Sequence, residues 1–327
     1  MNILGIESSC DETAAAVLSD GKVLSNIIAS QTVHEQFGGV VPELASRAHN
    51  KTIWATVDQA LKTSGLQMPD VDAIAVAKGP GLMGSLLVGL GFAKGLSLSW
   101  EKPLIGVNHI DAHMYANFIE HEEVFPFVAL IVSGGHTRLV HITAPFEHHL
   151  LGKTRDDAAG EAFDKVGKML DLPYPGGPQV DKLSKNGNPD FIDFPRAMAK
   201  KGLDFSFSGL KTSVLYYLQD QDKEFIREHL EDICASVSAA ITDVLMIKLR
   251  RALRKTGVKH VMVAGGVSAN SMLRNKVQAM AEKEKINLMI PAMEYCTDNA
   301  AMIAKTGEMK ARLGQFDGME LKPFASL

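Results

Sequence analysis

The feature that most constrains the fold is a pattern of strands, turns and helices that occurs twice along the chain. The first copy opens with three apolar segments joined by tight turns, "NILGIES", "AAAVLS" and "KVLSNIIAS". The second copy opens with "FVALIVS", the turn "GGHT" and "RLVHIT". Apolar alternation bounded by turn residues predicts a strand at each of these segments.

In both copies a strand, a glycine turn and a helix follow, and then a further strand and helix. This part reads "AIAVAK", "GPGLMG" and "SLLVGLGFAKGLSL" in the first copy, and "HVMVAGG" and "SANSMLRNKVQAMAEK" in the second. Two copies are too few for a solenoid, so the repetition predicts a duplicated α/β unit. Because no low-complexity linker separates the copies, we expect a hinged pair of lobes with a cleft. The expected N-terminal lobe is 1–126, completed by a C-terminal helix within 297–327, and the C-terminal lobe is 127–296.

Composition narrows the class of protein. A length of 327 residues, 46% of them hydrophobic, suffices for about two domains with packed cores. The three cysteines, Cys10, Cys234 and Cys296, show no metal-type spacing and favour a reducing compartment. The start, "MNILGIESSC", lacks a basic region and predicts no signal peptide. The longest apolar stretch stops at Lys94, short of the ~20 residues that a membrane span needs. We therefore expect a soluble, cytoplasmic protein without a membrane partner.

The segment "GVNHIDAHMYAN" places His109 and His113 four residues apart, directly after a predicted strand. On a helix this spacing puts both side chains on one face, as in two-histidine metal sites. A zinc protease also needs a glutamate directly after the first histidine, and that position is Ile110. The pair alone leaves two interpretations open, a metal site of another kind and the polar surface of an ordinary helix.

Three turns have the composition of phosphate-binding loops, at residues 8–13, 133–137 and 264–270. Closely turned backbone presents several N–H groups to one anion, and glycine permits the approach. The third turn also precedes a predicted helix, whose N-terminus favours an anion or a nucleotide. Each alone is also consistent with a plain turn. Their equivalent placement in the two copies favours the nucleotide interpretation.

Nine segments occur here in the order in which one protein family carries them: "GIESSCDET", "FGGVVPELASRAH", "NHIDAH", "VSGGHT", "DDAAGEAFDKV", "YPGGP", "DFSFSGLKT", "AGGVSAN" and "YCTDNAAMIA". Together they resemble the bacterial tRNA adenosine threonylcarbamoyltransferases, the TsaD family. Its archaeal and eukaryotic counterpart belongs to the KEOPS complex, and the family was once described as a sialoglycoprotein endopeptidase. The resemblance covers nearly the whole chain. One departure is Ser8, where many relatives carry threonine, and there the hydroxyl is kept.

The resemblance implies an α/β fold of the actin/hexokinase/Hsp70 (ASKHA) type, with two ribonuclease-H-like lobes and a nucleotide cleft between them. It implies transfer of the threonylcarbamoyl group from threonylcarbamoyl-AMP to the exocyclic amine of the adenosine 3′ of the anticodon. The implied partners are tRNA, a homologous TsaB-like subunit and a TsaE-like ATPase. Two other classes remain open from the residues themselves, a metalloendopeptidase and a non-catalytic nucleotide-binding scaffold.

By matching motif positions, the resemblance implies a metal site of His109, His113 and Asp298, holding one divalent ion, Fe²⁺ in preference to Zn²⁺. From local sequence, residues 297–299 would be an ordinary helix N-cap, and the two roles are compatible. The cleft is expected to hold an adenine nucleotide, as threonylcarbamoyl-AMP, ATP or AMP. The resemblance implies substrate binding by nine residues, Ile131, Val132, Ser133, Gly134, Gly135, Asp164, Gly177, Asp181 and Asn270.

Asp11 and Glu12, in the first turn, are the candidate catalytic residues. An adenine amine is a weak nucleophile that must lose a proton during the transfer, so the site needs a proton acceptor. We predict that one of the two carboxylates has this role. Two exposed turn carboxylates are equally consistent with capping of the backbone.

The densest basic run, "MIKLRRALRKTGVKH" at residues 246–260, is the candidate contact for tRNA, together with Lys200 and Lys201. The formal net charge of −4 gives no overall preference for nucleic acid, so RNA would have to meet a local patch. The solvated face of an amphipathic helix explains the run as well.

Overall fold

The computed structural model describes residues 1–31 and 40–325. These residues divide into two compact units, the first formed by Met1–Glu122 with Pro291–Leu327 and the second by Glu123–Ile290. The start of the segment "FGGVVPELASRAH", residues 37–39, lies outside the described residues. Within the described ranges, no helix has both the length and the apolar character that crossing a membrane requires.

The first unit is a five-stranded sheet with helices on both faces. Its strands are β1 (Asn2–Glu7), β2 (Thr13–Ser19), β3 (Lys22–Ala29), β4 (Ala73–Gly79) and β5 (Leu104–Asn108). Its helices are α1 (Pro42–Ser64), α2 (Met83–Trp100), α3 (His109–Tyr115) and, from the end of the chain, α10 (Ala300–Arg312). The strand order is β3-β2-β1-β4-β5, antiparallel among β1, β2 and β3 and parallel among β1, β4 and β5.

The second unit is built on a second five-stranded sheet. Its strands are β6 (Phe127–Val132), β7 (Thr137–Ala144), β8 (Glu147–Lys153), β9 (His260–Ala264) and β10 (Asn287–Met289). Its helices are α4 (Ala159–Met169), α5 (Gly176–Ser184), α6 (Ser208–Gln219), α7 (Lys223–Glu228), α8 (Leu230–Thr256) and α9 (Ser271–Glu284). The order is β10-β9-β6-β7-β8, with β6, β7 and β8 antiparallel and β6, β9 and β10 parallel.

The two sheets have the same order and the same strand directions, with β6 to β10 corresponding to β1 to β5. This confirms the duplicated α/β fold that the repeated pattern predicts. Strand β8 was not predicted. Its residues, "EHHLLGK", are mostly exposed and lie at the edge of the sheet, so they lack the apolar alternation that identifies a strand in sequence.

Alternate residues along the strands of the first unit serve two separate cores. Ile3 of β1 packs in the cluster that contains α10, whereas Leu4 and Ile6 pack in the cluster that contains α1 and α2. Because successive side chains of a strand point to opposite faces, a sheet covered by helices on both faces needs apolar residues at every position. This explains the nearly continuous apolar sequence of the strand.

Helix α10 packs unusually close to the sheet. A Cβ added at Gly5 of β1 would lie 2.5 Å from the carbonyl oxygen of Ala300, and one added at Gly307 would lie 2.4 Å from Cβ of Ala75. Side chains at these two glycine positions would push the helix away from the strands. The close approach brings the residues that precede α10 to the end of β1.

A buried lysine holds one loop of the second unit. Lys248 of α8 is inaccessible to solvent, and its Nζ donates to the carbonyl oxygens of Met198 (2.6 Å), Lys201 and Gly202 (3.2 Å). Arg251, one turn of α8 later, donates to the carbonyl oxygen of Gly202 and to another in the same loop. The carbonyl groups of residues 198–202 therefore face α8, which fixes the backbone of this loop.

We expect Lys248→Met to lower the free energy of unfolding by roughly 2–4 kcal/mol, because several buried carbonyl oxygens would lose their donor. Methionine keeps most of the volume of the side chain, so packing alone would change little. Lys255→Met, at an exposed position of the same helix, is the control and should change stability by less than about 0.5 kcal/mol. Urea denaturation measures both, and equal midpoints for the two variants would contradict the anchoring role.

Candidate functional site

The two histidines lie on α3, a short helix that begins directly after β5. Asn108 caps this helix, because its side-chain oxygen accepts hydrogen bonds from the backbone N–H groups of Ile110 (2.8 Å) and Asp111 (3.3 Å). The spacing of four residues then places the Nε2 atoms of His109 and His113 3.2 Å apart. Both side chains are buried, so they do not form the polar surface of an exposed helix.

The segment before α10 brings Asp298 to the histidines. Its Oδ1 lies 3.0 Å from Nε2 of His113 and 3.5 Å from Nε2 of His109. The N-cap of α10 is the next residue, Asn299, whose side chain accepts from the backbone N–H of Met302 at 3.0 Å. Capping the helix and facing the histidines are therefore tasks of two adjacent residues.

These three atoms fit a single metal ion. Ligands at about 2.1 Å from one ion, at tetrahedral or octahedral angles, lie roughly 3.0–3.4 Å from one another. The observed separations of 3.0, 3.2 and 3.5 Å lie close to that range. Among the described residues, His109, His113 and Asp298 form the one group of at least three such side chains whose ligand atoms converge in this way. Two imidazoles with one carboxylate suit Fe²⁺ or Zn²⁺.

A buried carboxylate orients the first histidine. Glu7, at the end of β1, is inaccessible to solvent, and its Oε2 lies 3.1 Å from Nδ1 of His109, as does the hydroxyl of Ser9. A carboxylate at Nδ1 favours a proton on that nitrogen and leaves the lone pair of Nε2 for a metal. The sequence reasoning missed Glu7, although a lone acidic residue at the end of an apolar strand was a visible signal.

The turn after β1 brings both candidate proton acceptors to the same place. Burial, and after it the carboxylates of Asp298 and Asp11, raises the pKa of Glu12 to about 9. The carboxylate of Asp11 is close enough to raise the pKa values of both Glu12 and the Cys10 thiol. Burial, reinforced by Asp11 and Asp298, also raises the pKa of the Cys10 thiol far above its usual range. The turn therefore places two carboxyl groups and a neutral thiol beside the metal-ligand cluster.

His49 of α1 holds this turn in position, and it was also missed by the sequence reasoning. Its ring is inaccessible to solvent, with Nε2 2.9 Å from the carbonyl oxygen of Cys10 and Nδ1 2.8 Å from the hydroxyl of Thr13. A carbonyl only accepts, so Nε2 of His49 carries a proton and donates to it. One side chain thus connects both ends of the segment 10–13 to α1.

If the cluster of His109, His113 and Asp298 holds a metal ion, its protonation will make the affinity for that ion depend on pH. Burial lowers the pKa of His109, but the carboxylates of Asp298 and Glu7 outweigh this effect and raise it to about 9. In metal-free protein, His109 and Glu12 are therefore protonated below about pH 9. A metal binds the deprotonated groups, so we expect its affinity to rise as the pH rises from about 6 to about 9.

Titration calorimetry with Zn²⁺, in buffers of different ionisation enthalpy, measures this affinity and the number of protons released. Glu12→Gln should reduce that number by about one proton per ion bound, because glutamine has no proton to lose. Glu161→Gln, in the second unit, is the matched control and should release as many protons as the parent. An affinity that does not change with pH would show that the carboxyl and imidazole protons are not displaced.

In the second unit, Ile131 and Val132 are buried at the end of β6, and Ser133, Gly134 and Gly135 begin the turn to β7. The backbone N–H of Ser133 donates to the carbonyl oxygen at residue 136 (2.8 Å), which closes the turn. No described atom lies within 4 Å of a Cβ added at Gly134 or Gly135, and both are exposed. The side of this turn on which side chains would lie is open, whereas the backbone of Ser133 and Gly134 packs against Gly160 of α4.

Asp164 and Gly177 contact each other where α4 meets α5. The Oδ1 atom of Asp164 accepts from the backbone N–H of Gly177 at 2.9 Å. Burial raises the pKa of Asp164, and the N–H groups of Gly177 and Gly176 act against this effect. The structure therefore brings these two predicted residues together.

Asp181 and Asn270 meet at the start of α9. Oδ1 of Asp181 accepts from the backbone N–H (2.9 Å) and the hydroxyl (2.8 Å) of Ser271, and Oδ1 of Asn270 accepts from the backbone N–H of Leu273 at 2.9 Å. Asp181 is therefore a capping residue of α9 rather than a solvated side chain. These two N–H groups are bonded within the protein, so they do not provide the free N–H groups that the sequence suggested for the turn at 264–270.

The turn after β9 packs against the end of β6. Gly265 has φ 87°, and a Cβ added there would lie 2.5 Å from the carbonyl oxygen of Val132. The turn at 264–270 thus lies beside the one that begins at Ser133. The predicted site residues consequently form two groups, the metal ligands and turn carboxylates in the first unit and the substrate-binding residues in the second.

The fold and the site define the class, an α/β protein of the actin/hexokinase type with a two-histidine, one-carboxylate cluster in its first unit. HypF from T. kodakarensis is similar over 96% of this chain and 48% of that chain, with a TM-score of 0.64 and 13% identity. Component A of (R)-2-hydroxyglutaryl-CoA dehydratase from Acidaminococcus fermentans is similar over 95% and 99%, with a TM-score of 0.57 and 16% identity. The ROK hexokinase of Thermus thermophilus is similar over 95% of this chain and 100% of its own, with a TM-score of 0.50 and 15% identity. These likenesses confirm the predicted fold class.

Sequence comparison gives the family. A family model described as "TsaD: tRNA N6-adenosine threonylcarbamoyltransferase" matches residues 22–305. Relatives with this name are 54% identical in Salinibacter ruber, over 96% of this chain and 96% of the relative, and 50% identical in Prosthecochloris aestuarii, over 100% and 99%. The chain belongs to the tRNA N6-adenosine threonylcarbamoyltransferase family. The predicted family is therefore confirmed, and with it the predicted class of enzyme, a transferase.

Proposed function

We propose that this chain transfers the threonylcarbamoyl group from threonylcarbamoyl-AMP to the exocyclic amine of the adenosine 3′ of the anticodon in tRNA. The transferred group and the N6-adenosine acceptor are those in the family's name, and the chain spans nearly the full length of its relatives. The observation that carries the chemistry is the convergence of His109, His113 and Asp298, with Glu12 beside them.

The reaction makes two demands on the site. Threonylcarbamoyl-AMP is a mixed anhydride, so AMP is a competent leaving group, whereas the lone pair of the adenine amine is delocalised into the ring. The enzyme must therefore orient the amine, remove its proton and stabilise charge on the carbamoyl oxygen and the phosphate. A divalent ion held by His109, His113 and Asp298 would supply Lewis-acid stabilisation of that charge. We propose Fe²⁺, with Zn²⁺ as the alternative.

The protein's own carboxyl groups handle the proton. A cation held beside Asp298 lowers the pKa of a neighbouring carboxyl group, so Glu12 would ionise and become able to accept the adenine proton. Asp11, whose carboxylate contributes to the raised pKa of Glu12, is the second candidate for this role. His49 fixes the turn that carries both, and Glu7 holds His109 with Nε2 facing the metal position.

The residues of the second unit are proposed to bind the nucleotide part of the donor. The open side of the turn at Ser133, Gly134 and Gly135 would receive a phosphate. Ile131, Val132 and Gly177 are proposed to contribute backbone groups to the same site. Asp164 and Asp181 each bond the protein through Oδ1, so the second carboxylate oxygen could accept from a ribose or threonine hydroxyl. Asn270 uses its oxygen as a helix cap, and its amide nitrogen could donate to adenine.

We propose three partners for the reaction, tRNA as acceptor, a TsaB-like homologous subunit and a TsaE-like ATPase. Support for the two proteins comes from the family resemblance. A test of activity should therefore include both of them.

Two alternative functions fit the site less well. A metalloendopeptidase needs a glutamate general base, but Ile110 follows His109, and Glu7 is bonded to Nδ1 of that histidine. A non-catalytic scaffold would have no need for three buried or half-buried ligand atoms converging beside two further carboxyl groups. The acyl transfer uses all of these groups.

The test is mass analysis of tRNA nucleosides after incubation with threonylcarbamoyl-AMP, tRNA and both partner proteins. His109→Ala should lose the metal and more than about 100-fold of the activity, because one of three protein ligands is removed. His121→Ala, an exposed histidine outside the cluster, should retain both. A folded His109→Ala variant with the parent's metal content and activity would rule out the proposed metal centre.

Gly135→Val should abolish binding of AMP and leave the metal content unchanged. The position is open within the protein, so the valine side chain would fill space that a ligand's phosphate would otherwise occupy. Gly265→Val is unsuitable, because the positive φ and the carbonyl oxygen of Val132 would strain the fold itself. Gly91→Val, another open glycine position, is the control. Calorimetry with AMP decides: parental affinity in folded Gly135→Val would mean that this turn does not hold the phosphate.

A further inference from the structure

The second half of α8 and the elements that follow it carry a local excess of positive charge. From Asp243 to Lys285 there are ten lysines and arginines against three acidic residues, in a chain whose formal net charge is −4. Arg254, Lys255 and Lys259 are exposed. A surface of this kind attracts polyanions, and the attraction weakens as salt is added.

The loop at residues 198–202 adds two cations to this surface on an ordered backbone. Lys248 and Arg251 take up its carbonyl groups, whereas the side chains of Lys200 and Lys201 are exposed. Burial of a lysine ammonium group is unfavourable unless it is hydrogen-bonded, and the hydrogen bonds of buried Lys248 hold this loop in place. Because the backbone of this loop is already ordered, binding of an anion to Lys200 and Lys201 requires little further loss of backbone entropy.

A cavity of about 430 Å³ lies between α8 and α9 in this region. Its lining includes three cations, Arg196, Arg250 and Lys276, and one acidic residue, Asp243. Arg196 and Lys276 are bonded to Asp243, at 3.0 and 2.6 Å. Arg250 bonds Glu284 through Nε at 3.2 Å, and no described residue engages its two terminal nitrogens. A guanidinium group with both terminal nitrogens available matches two oxygens of one phosphate.

We propose that this region, the α8 basic surface, binds phosphate groups of the tRNA backbone. It consists of Arg196, Lys200, Lys201, Arg250, Arg254, Lys255 and Lys276. The proposal rests on the proposed function, in which tRNA is the acceptor. All seven residues belong to the second unit, whereas the metal ligands belong to the first. The surface is thus a docking site for the substrate, separate from the reacting groups.

The test reverses two exposed charges in the complete enzyme with its partner proteins. Arg254→Glu combined with Lys255→Glu should raise KM for tRNA at least about tenfold and leave kcat unchanged, because only docking is affected. The slope of log affinity for tRNA against log salt should become shallower by about one to two, since each lost phosphate contact contributes roughly 0.7–0.9. Affinity for AMP should not change. Arg250→Gln, which keeps the fold of the helix, should weaken tRNA binding in the same direction.

The control carries the same two substitutions at the other end of α8. Lys223 and Arg227 are exposed on α7, just before α8 begins. At 1.5 Å per residue they lie roughly 35 Å from Arg254 along the helix axis. Lys223→Glu combined with Arg227→Glu changes the net charge equally, so a general electrostatic effect would appear in both double variants. We expect parental KM for tRNA in the control.

Several outcomes would overturn the proposal. One is a parental KM and salt slope in folded Arg254→Glu/Lys255→Glu. Another is a loss of affinity for AMP or inorganic phosphate while tRNA binding persists, which would assign the cavity to a free nucleotide. A third is weaker association with a partner protein at unchanged tRNA affinity, which would assign the surface to an acidic protein. Direct tRNA binding is measured for every variant, so a parent that binds tRNA without modifying it would refute the proposed function alone.

Discussion

The convergence of His109, His113 and Asp298 depends on the close packing of the last helix on the sheet of the first unit. Gly5 of β1 admits the backbone of α10 at Ala300, and Gly307 of α10 lies against Ala75 of β4, so the helix approaches the sheet closely at both positions. This contact places Asp298, which precedes α10, within reach of the two histidines of α3. A larger residue at Gly5 would push against the carbonyl group of Ala300, two residues after Asp298, and so would move this carboxylate away from the histidines.

The same packing concentrates negative charge in a place with little water. Glu7, Glu12 and Asp298 surround His109, and in the absence of a cation the protons remain, since the pKa values of both Glu12 and His109 are raised to about 9. A divalent ion would replace those protons and stabilise the ionised carboxylates. In the proposed function, metal binding and the ionisation of Glu12 would therefore be coupled, because both depend on the same balance of charges.

The two units use one topology for different chemistry. The end of β1 carries an acidic turn next to a histidine helix, whereas the equivalent end of β6 carries an open glycine turn at Ser133. Helix α8 precedes β9 as α1 precedes β4, and its buried Lys248 orders a loop whose lysines face solvent. Helices α4 to α7, between β8 and α8, have no counterpart among the described elements of the first unit. The two units thus share one arrangement of strands. They differ in the side chains at the strand ends and in helices α4 to α7, which occur in the second unit.

By itself, the sequence determined the repeated strands, turns and helices of the two copies and their order, but not helices α4 to α8 of the second unit. The strands and the pairing of His109 with His113 follow from local periodicity, which is visible in a short window of residues. The edge strand β8 was not predicted, because its residues are mostly exposed and show no such periodicity. The nine motifs in their order indicated the family, and the resemblance to that family suggested Asp298 as a third metal ligand.

Only the tertiary structure decided which distant groups meet. Asp298 contacts His113 across 185 residues of sequence, and Glu7 contacts His109 across 102. The capping role of Asp181 and the buried bonds of Lys248 likewise depend on partners far away in the chain. The role of each of these polar groups depends on the partner that forms its hydrogen bond or ion pair when the group is buried. Burial arises when separate elements pack together, so no local pattern of residues encodes these pairings.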